Sequence, residues 1–356
     1  MKTESTFTKQ VAKLAAILLP WYDENRRSLP WRDQVSPYRT WVSEIMLQQT
    51  RVQAVLPYFQ RFVAAAPDIF SLSRLPEEQL LRLWQGLGYY SRARNLQKAA
   101  KIMAEQYGGC MPHTYNELIK LPGIGDYTAG AILSIAFGQA VPAVDGNVLR
   151  IAARLTACHD NVLDTRTRTA FRDALAEVMP AARPGDLNQA LMDLGAEICL
   201  PKNPDCGRCP AAGFCAARAA GIQNQLPVRE KNIARPTDIM SVFVITRSDG
   251  RTALRRRPEK GLLAGLWEFP HVPGELTESL VAQQLADWGL RVVDWRRTVS
   301  ATHLFTHRRW EMTGWLLTAE GDGCADWLWA DGQTMEGKAI PSAFKAFTAA
   351  LKVDRP

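Results

Sequence analysis

At 356 residues the chain has room for two domains, each with a sizeable core. Apolar residues make up 47% and charged residues 22%, ordinary proportions for a soluble globular protein. The longest N-terminal apolar run, Val11 to Leu19, is broken by Lys13 and ends at Pro20, too short to span a bilayer. No signal peptide is visible, so the expected location is cytoplasmic and the cysteines are expected as free or metal-bound thiols. A formal charge of +7 and a pI near 9.1 permit a polyanionic partner without requiring one.

Apolar residues recur at three- and four-residue spacing through 8–19, 38–49, 52–65, 77–84, 92–107, 126–137, 147–156, 166–178 and 186–198, which predicts helices there. Glu44 falls within the second of these. Ile45, Met46 and Leu47 surround it, and Leu47, Gln48 and Arg51 share its face at helical spacing. A carboxyl in partly apolar surroundings has a raised pKa and can hold a proton for donation. The plain alternative is a surface glutamate.

The segment from Thr114 to Ala131 is dense with signals. Thr114 and Glu117 have capping-box spacing, Pro122-Gly123-Ile124-Gly125 is a tight turn, and Asp126 is placed to cap the following helix. Gly123 and Gly125 allow unusual backbone angles and leave amides bare. Bare N–H groups at a helix start bind an anion, so the segment reads as a helix–hairpin–helix that grips a DNA phosphate. A plain helical hairpin with glycine caps is the alternative. Further on, Asp145 precedes Gly146-Asn147 and a new helix, where a helix N-terminus favours the ionised carboxylate; an ordinary N-cap explains it equally well.

Cys199, Cys206, Cys209 and Cys215 lie within 17 residues, spaced C-x6-C-x2-C-x5-C; only Cys110, Cys158 and Cys324 occur elsewhere. Four soft thiolates suit zinc or an iron–sulfur cluster. Structural zinc sites use two short knuckles. Here one knuckle, Cys206-Gly207-Arg208-Cys209, is flanked by two longer arms. That spacing favours a [4Fe–4S] cluster over zinc, with disulfides third.

Around residue 225 the character changes. Residues 225–236 are polar, proline-bounded and aperiodic, which reads as a connector. Strands follow at 239–246, 252–256, 291–299 and 310–318, with amphipathic helices at 276–288 and 341–351. The division expected is 1–222 for a helical domain with its cysteine loop at 199–215, 223–237 for a linker, and 238–356 for an α+β domain.

A helix–hairpin–helix followed by this cysteine pattern resembles the endonuclease III superfamily of DNA glycosylases, and within it the MutY-type adenine DNA glycosylases. The resemblance rests on Trp41–Thr50, Gly86–Asn95, Leu121–Ala131, Val144–Val148 and the four cysteines. It implies an all-α helix–hairpin–helix glycosylase domain carrying a [4Fe–4S] lobe, then a Nudix-like domain. The implied reaction is removal of adenine mispaired with 8-oxoguanine or guanine in base excision repair. Glu44 matches the residue that protonates the departing adenine and later assists water, and Asp145 the one that stabilises the oxocarbenium-like sugar; Asn147 and Tyr127 match positions supporting the pair. Bifunctional relatives carry an attacking lysine where this chain has Tyr127, so a monofunctional hydrolase is expected.

Adenine must leave the duplex to be cut. By resemblance Gln49 and Tyr89 are the wedges, and Arg27, Trp31 and Gln189 lie near the extruded base. Core packing is the alternative for Trp31 and Tyr89. The segment Gly261–Pro270 resembles the approach to a Nudix box, yet 276–288 lack the clustered glutamates that bind magnesium, so no nucleotide hydrolysis is expected. Phe305-Thr306-His307 stands where the family commonly has Phe-Ser-His, the loop reading 8-oxoguanine; a hairpin turn is compatible with that role. The implied partner is double-stranded DNA holding adenine opposite 8-oxoguanine or guanine, with no membrane partner and a monomeric chain. Two other functions stay open: an endonuclease III-like glycosylase/lyase acting on oxidised pyrimidines, and a non-enzymatic iron–sulfur DNA-binding sensor.

Overall fold

A computed structural model describes residues 2–230, 235–305 and 307–353. The elements in chain order are α1 (Lys2–Asn25), α2 (Pro30–Asp33), α3 (Pro37–Leu47), α4 (Val52–Ala65), α5 (Ile69–Arg74), α6 (Glu77–Trp84), α7 (Ser91–Gln106), α8 (Tyr115–Leu118), α9 (Asp126–Phe137), α10 (Gly146–Thr156), α11 (Thr165–Glu177), α12 (Pro184–Asp193), a π-helical turn at Leu194–Ile198, and α13 (Ala216–Ala219). Then come β1 (Thr237–Thr246), β2 (Thr252–Arg256), β3 (Trp267–Glu268), β4 (His271–Pro273), α14 (Glu278–Asp287), β5 (Leu290–Leu304), β6 (Arg309–Gly321), β7 (Trp327–Ala330), α15 (Gly332–Glu336) and α16 (Lys345–Val353). Among the described residues no helix is long and apolar enough to cross a membrane.

The chain divides into two compact units: residues 1–75 with 94–231, and 76–93 with 232–356. The first is all-helical. Leu14, Leu18 and Tyr22 of α1 pack with Val148, Ile151 and Leu155 of α10 and with Leu187 and Leu191 of α12, as their helical spacing predicts. α9 carries Gly130 where a Cβ would stand 2.4 Å from the Pro142 carbonyl oxygen, so only glycine lets that segment lie against the helix. α3 is buried from Tyr38 to Met46 on every face except at Arg39, which leaves its one acid, Glu44, enclosed.

The hairpin between α8 and α9 departs from expectation in three details. Thr114 precedes α8, but its hydroxyl donates to the Glu117 carboxylate at 2.5 Å and caps no backbone amide. Asp126 is the first residue of α9, with Gly125 at the cap position, and it accepts from the Tyr115 hydroxyl at 2.9 Å. A carboxylate engaged by a phenol does not turn back onto its own helix. Gly123 sits at φ +82°, the left-handed region that favours glycine, whereas Gly125 at φ −106° does not need to be glycine for its angles. Its contribution is openness: no atom lies within 4 Å of where its Cβ would stand.

The second unit is built on a mixed sheet in the order β3-β2-β1-β6-β5, with β4 pairing β1 and β7 pairing β2. β1 and β6 run parallel in unbroken register from Thr237↔Arg309 to Thr246↔Thr318. That central position explains why Met240–Thr246 is buried without alternation, Ser241 included. α16 covers one face through Phe347 and Leu351, and α14 the other through Val281 and Leu285. The all-α first unit and α+β second unit accord with the sequence reading.

Two segments differ from it. Residues 76–93 group with the sheet, held by Lys338 Nζ on Glu78 at 2.7 Å and by Gln85 Nε2 donating to the Ile340 carbonyl at 3.3 Å. Residues 225–230, expected as connector, are tied to the helical unit. Leu226 is buried, its carbonyl accepts from Arg154, and the Val228 carbonyl accepts from the Val162 amide at 3.1 Å. Leu226 and the carbonyls of Leu226 and Val228 carry that anchor, and a segment this short has no periodicity to register it.

Candidate active site and cysteine loop

Glu44 and Asp145 are both enclosed in the helical unit, but their surroundings differ. Glu44 is only 4% exposed. It accepts from the Tyr127 hydroxyl at 2.6 Å, the one donor to its carboxyl among the described residues, and α9 supplies that tyrosine. Burial pushes its pKa up to about 7; the Tyr127 bond and the field of Arg32 pull it down, and nearby Asp145 pushes it higher. The surface-glutamate alternative is therefore excluded. The helical face assigned to Glu44 needs correcting: α3 ends at Leu47, so Gln48 and Arg51 do not continue it.

Asp145 is the N-cap of α10. Its Oδ1 accepts from the Asn147 and Val148 amides at 2.8 Å each, and its Oδ2 from Asn147 Nδ2 at 2.7 Å. Burial raises its pKa and outweighs the lowering by those bonds and by Arg150, so the helix terminus does not by itself leave the group an ordinary ionised aspartate. Three donors stabilise the carboxylate of Asp145 and one that of Glu44, so hydrogen bonding favours the charge on Asp145 and the proton on Glu44. Tyr127 is pushed well above its ordinary range, first by burial and then by both carboxyls, so it stays a phenol and a donor.

Several residues shape this site that sequence reasoning missed. Asp193, fully buried at the end of α12, accepts from Arg27 and Arg32 together, with Arg32 Nη1 at 2.7 Å. Arg32 is thereby aimed where its field reaches Glu44. Asn188 pins the chain ahead of Asp145: its amide donates to the Val141 carbonyl at 2.9 Å and its oxygen accepts from the Ala143 amide at 3.0 Å. Arg150 donates to Asn147 Oδ1 at 2.9 Å, to the Gly195 carbonyl at 2.8 Å and to the Cys199 carbonyl at 2.7 Å, so a continuous chain of hydrogen bonds joins Asp145 to the cysteine loop. Gly195 permits it, since a Cβ there would lie 2.6 Å from that of Asn147. A lone acid in the apolar run around Ala190–Leu194, and an arginine three residues after Asn147, were the available signals.

The other site residues expected from the sequence separate into groups. Gln49 and Tyr89 are exposed and hold left-handed backbone at φ 57° and 47°, strained for residues with side chains. Tyr89 is 45% exposed and core packing does not account for it. Trp31 is 6% exposed and meets Phe59 edge-on at 5.1 Å, which is core packing. Arg27 is committed to Asp193, and Gln189 is buried on α12. Phe305 and His307 lie in the turn between β5 and β6, where Phe305 packs on Trp310 at 4.8 Å and His307 is exposed. Thr306 lies outside the described residues.

All four cysteines line one cavity, walled by Ile198, Pro204 and Ala212 and by the guanidinium groups of Arg154 and Arg218. Among the described residues no three His, Cys, Asp or Glu converge on a point to hold a single ion. Thiols arranged around a cavity, with two cations beside them, fit a polynuclear anionic group better than a lone zinc. Arg154, buried, donates to the carbonyls of Leu200 and Pro201 and reaches Cys199 Sγ at 3.4 Å, holding the first arm of the loop.

Comparison with known proteins agrees with this architecture. The HhH-GPD superfamily of base excision DNA repair proteins matches residues 42–177, and the NUDIX domain matches 241–350. The human adenine DNA glycosylase is 35% identical, over 88% of this chain and 69% of its own. That of Buchnera aphidicola from Acyrthosiphon pisum is 34% identical over 82% of both. The chain belongs to the adenine DNA glycosylases. The Arabidopsis thaliana glycosylase is 41% identical over 74% of this chain, which spans about half (48%) of that longer protein. Among solved structures, a thermostable thymine-DNA glycosylase aligns with 60% of this glycosylase and 98% of its own chain, at 25% identity and a TM-score of 0.54. A non-covalent endonuclease III–DNA complex aligns at 23% identity and a TM-score of 0.53, which speaks to the fold alone; it covers 61% of this chain and 98% of that one.

Proposed function

We propose that this glycosylase hydrolyses the N-glycosidic bond of adenine opposite 8-oxoguanine or guanine in duplex DNA, without lyase activity. The observation that carries this reading is the asymmetry between the two carboxyls. Glu44 keeps its proton near neutral pH because burial outweighs the Tyr127 phenol and the field of Arg32. Asp145, with three N–H donors, carries the charge. A protonated Glu44 donates to the ring nitrogen of the departing adenine, and the Asp145 carboxylate stabilises the positive charge that grows on the sugar. Deprotonated Glu44 then takes a proton from the water that attacks C1′. Tyr127 holds Glu44 in place and offers no amine, so no covalent imine to the DNA forms.

DNA is gripped through the amides of Gly123 and Gly125, the Ile124 amide between them being taken by the Leu121 carbonyl. Gln49 and Tyr89 each act as a wedge when the base is extruded, and the Phe305-Thr306-His307 segment reads the base opposite. Cys199, Cys206, Cys209 and Cys215 hold a [4Fe–4S] cluster. Its contribution when bound is to tie the loop that Arg150 links to Asp145.

Two duplexes test the reading, one with adenine opposite 8-oxoguanine and one with thymine glycol. Adenine release from the first alone, with strand breaks only after alkali, is expected. Activity on the second alone, or prompt strand cleavage without alkali, would overturn it. Iron and acid-labile sulfide near four each per chain are expected on analysis of the cofactor.

A further inference from the structure

Tyr89 and Tyr90 are neighbours in the chain with opposite fates: Tyr90 is 5% exposed and Tyr89 45%. The turn between α6 and α7 separates them. Its backbone is left-handed at Gly86, Gly88 and Tyr89, with φ 107°, 71° and 47°. Glycine takes such angles freely, whereas Tyr89 is strained there and needs surroundings that hold it. Crowding does not impose the bend at Gly88, where a Cβ would meet nothing within 4 Å.

Arg92, the second residue of α7, is buried and supplies the hold. Its Nη2 donates to the Leu87 carbonyl at 3.0 Å and to the Gly88 carbonyl at 3.2 Å, and its backbone amide donates to the Tyr89 carbonyl at 2.9 Å. Three successive carbonyls of the turn are thus drawn to one residue. The indole of Trp84, itself fully buried, donates to the Gly88 carbonyl at 3.1 Å. The guanidinium carbon stands 5.4 Å from the centre of the Trp84 ring and 5.7 Å from that of Tyr89, so one cation links the exposed ring to a core indole. Burial lowers the Arg92 pKa to about 10, which leaves it charged at neutral pH.

We infer that Arg92 is a positioning residue for base extrusion: it holds the strained turn at 86–89 so that the Tyr89 ring stands outward before DNA arrives. A wedge ordered in advance has little freedom left to lose when the base leaves the stack. The inference rests on the reading of Tyr89 as a wedge. The test mixes full-length protein with a duplex carrying 2-aminopurine in the place of adenine opposite 8-oxoguanine, and follows the rise in fluorescence as that base unstacks. Arg92→Met, Tyr89→Ala and the double variant form one cycle. Arg92→Gln, which leaves a polar amide in the pocket, forms a second cycle with Tyr89→Ala and decides alone if Arg92→Met does not fold.

Each single substitution should slow extrusion by about tenfold, and each double variant should be no slower than Tyr89→Ala alone, because the arginine acts through that ring. A merely structural role would multiply the two losses. Multiplied losses, or Arg92 variants that extrude the base at the native rate, would overturn the inference and leave the wedge reading standing. A native rate in Tyr89→Ala would overturn the wedge reading and this inference with it.

Discussion

Each unit of this glycosylase buries a glutamate, and the two are treated in opposite ways. Glu268, 1% exposed on β3, is clasped by the guanidinium groups of Arg255 and Arg257. Glu44, equally enclosed on α3, meets a neutral phenol, with Arg32 felt only through its field. A buried carboxyl with cations in contact is a fixed charge; one without them becomes a store for a proton. Burial alone therefore says little about what an acid does, and the charge of its contacting partners decides.

Substitution at Glu44 probes the contrast most severely. Glu44→Gln should lower single-turnover adenine release by about 10³-fold, within the range for loss of a general acid, while duplex affinity holds. Next in size, Glu268→Gln leaves two half-buried guanidinium groups poorly compensated and should destabilise the second unit by about 3 kcal/mol, read by chemical denaturation. Similar losses of stability from both substitutions, with adenine release spared in Glu44→Gln, would erase the distinction.

Stability against pH sharpens it further. Folding raises the Glu44 pKa from an ordinary 4.5 to about 7, so the folded chain binds more protons in that window and loses stability as pH rises through it. Glu44 should contribute a loss of about 3 kcal/mol between pH 4 and 8, and Glu44→Gln should remove that part, leaving what the raised Asp145 carboxyl adds. The smallest effect is expected at Tyr127→Phe. Its hydroxyl lowers the Glu44 pKa, so removing it should move the alkaline limb of the pH–rate profile upward by no more than about one unit. A downward shift would show that the phenol acts on Glu44 in some other way.

Much of the molecule could be read from the order of its residues. Helical periodicity placed α3, α4, α9 and α10 within a residue or two, and the strand expected at 239–246 is β1. The cysteine spacing located the loop, and Asp145 ahead of Gly146-Asn147 was recognisable as a cap. These features depend on neighbours along the chain, where backbone geometry and side-chain period act directly.

Tertiary contacts decided the remainder. That Glu44 is enclosed depends on α3 being surrounded, and that Tyr127 reaches it depends on α9 packing beside α3. Asp193 orients Arg27 and Arg32 from more than 160 residues away. The grouping of 76–93 with the sheet depends on partners near Ile340, and no local signal in those residues marks it. Periodicity reports which face of a helix avoids water, whereas the pKa of a buried acid depends on which charges stand within a few ångströms, and those charges come from distant parts of the chain.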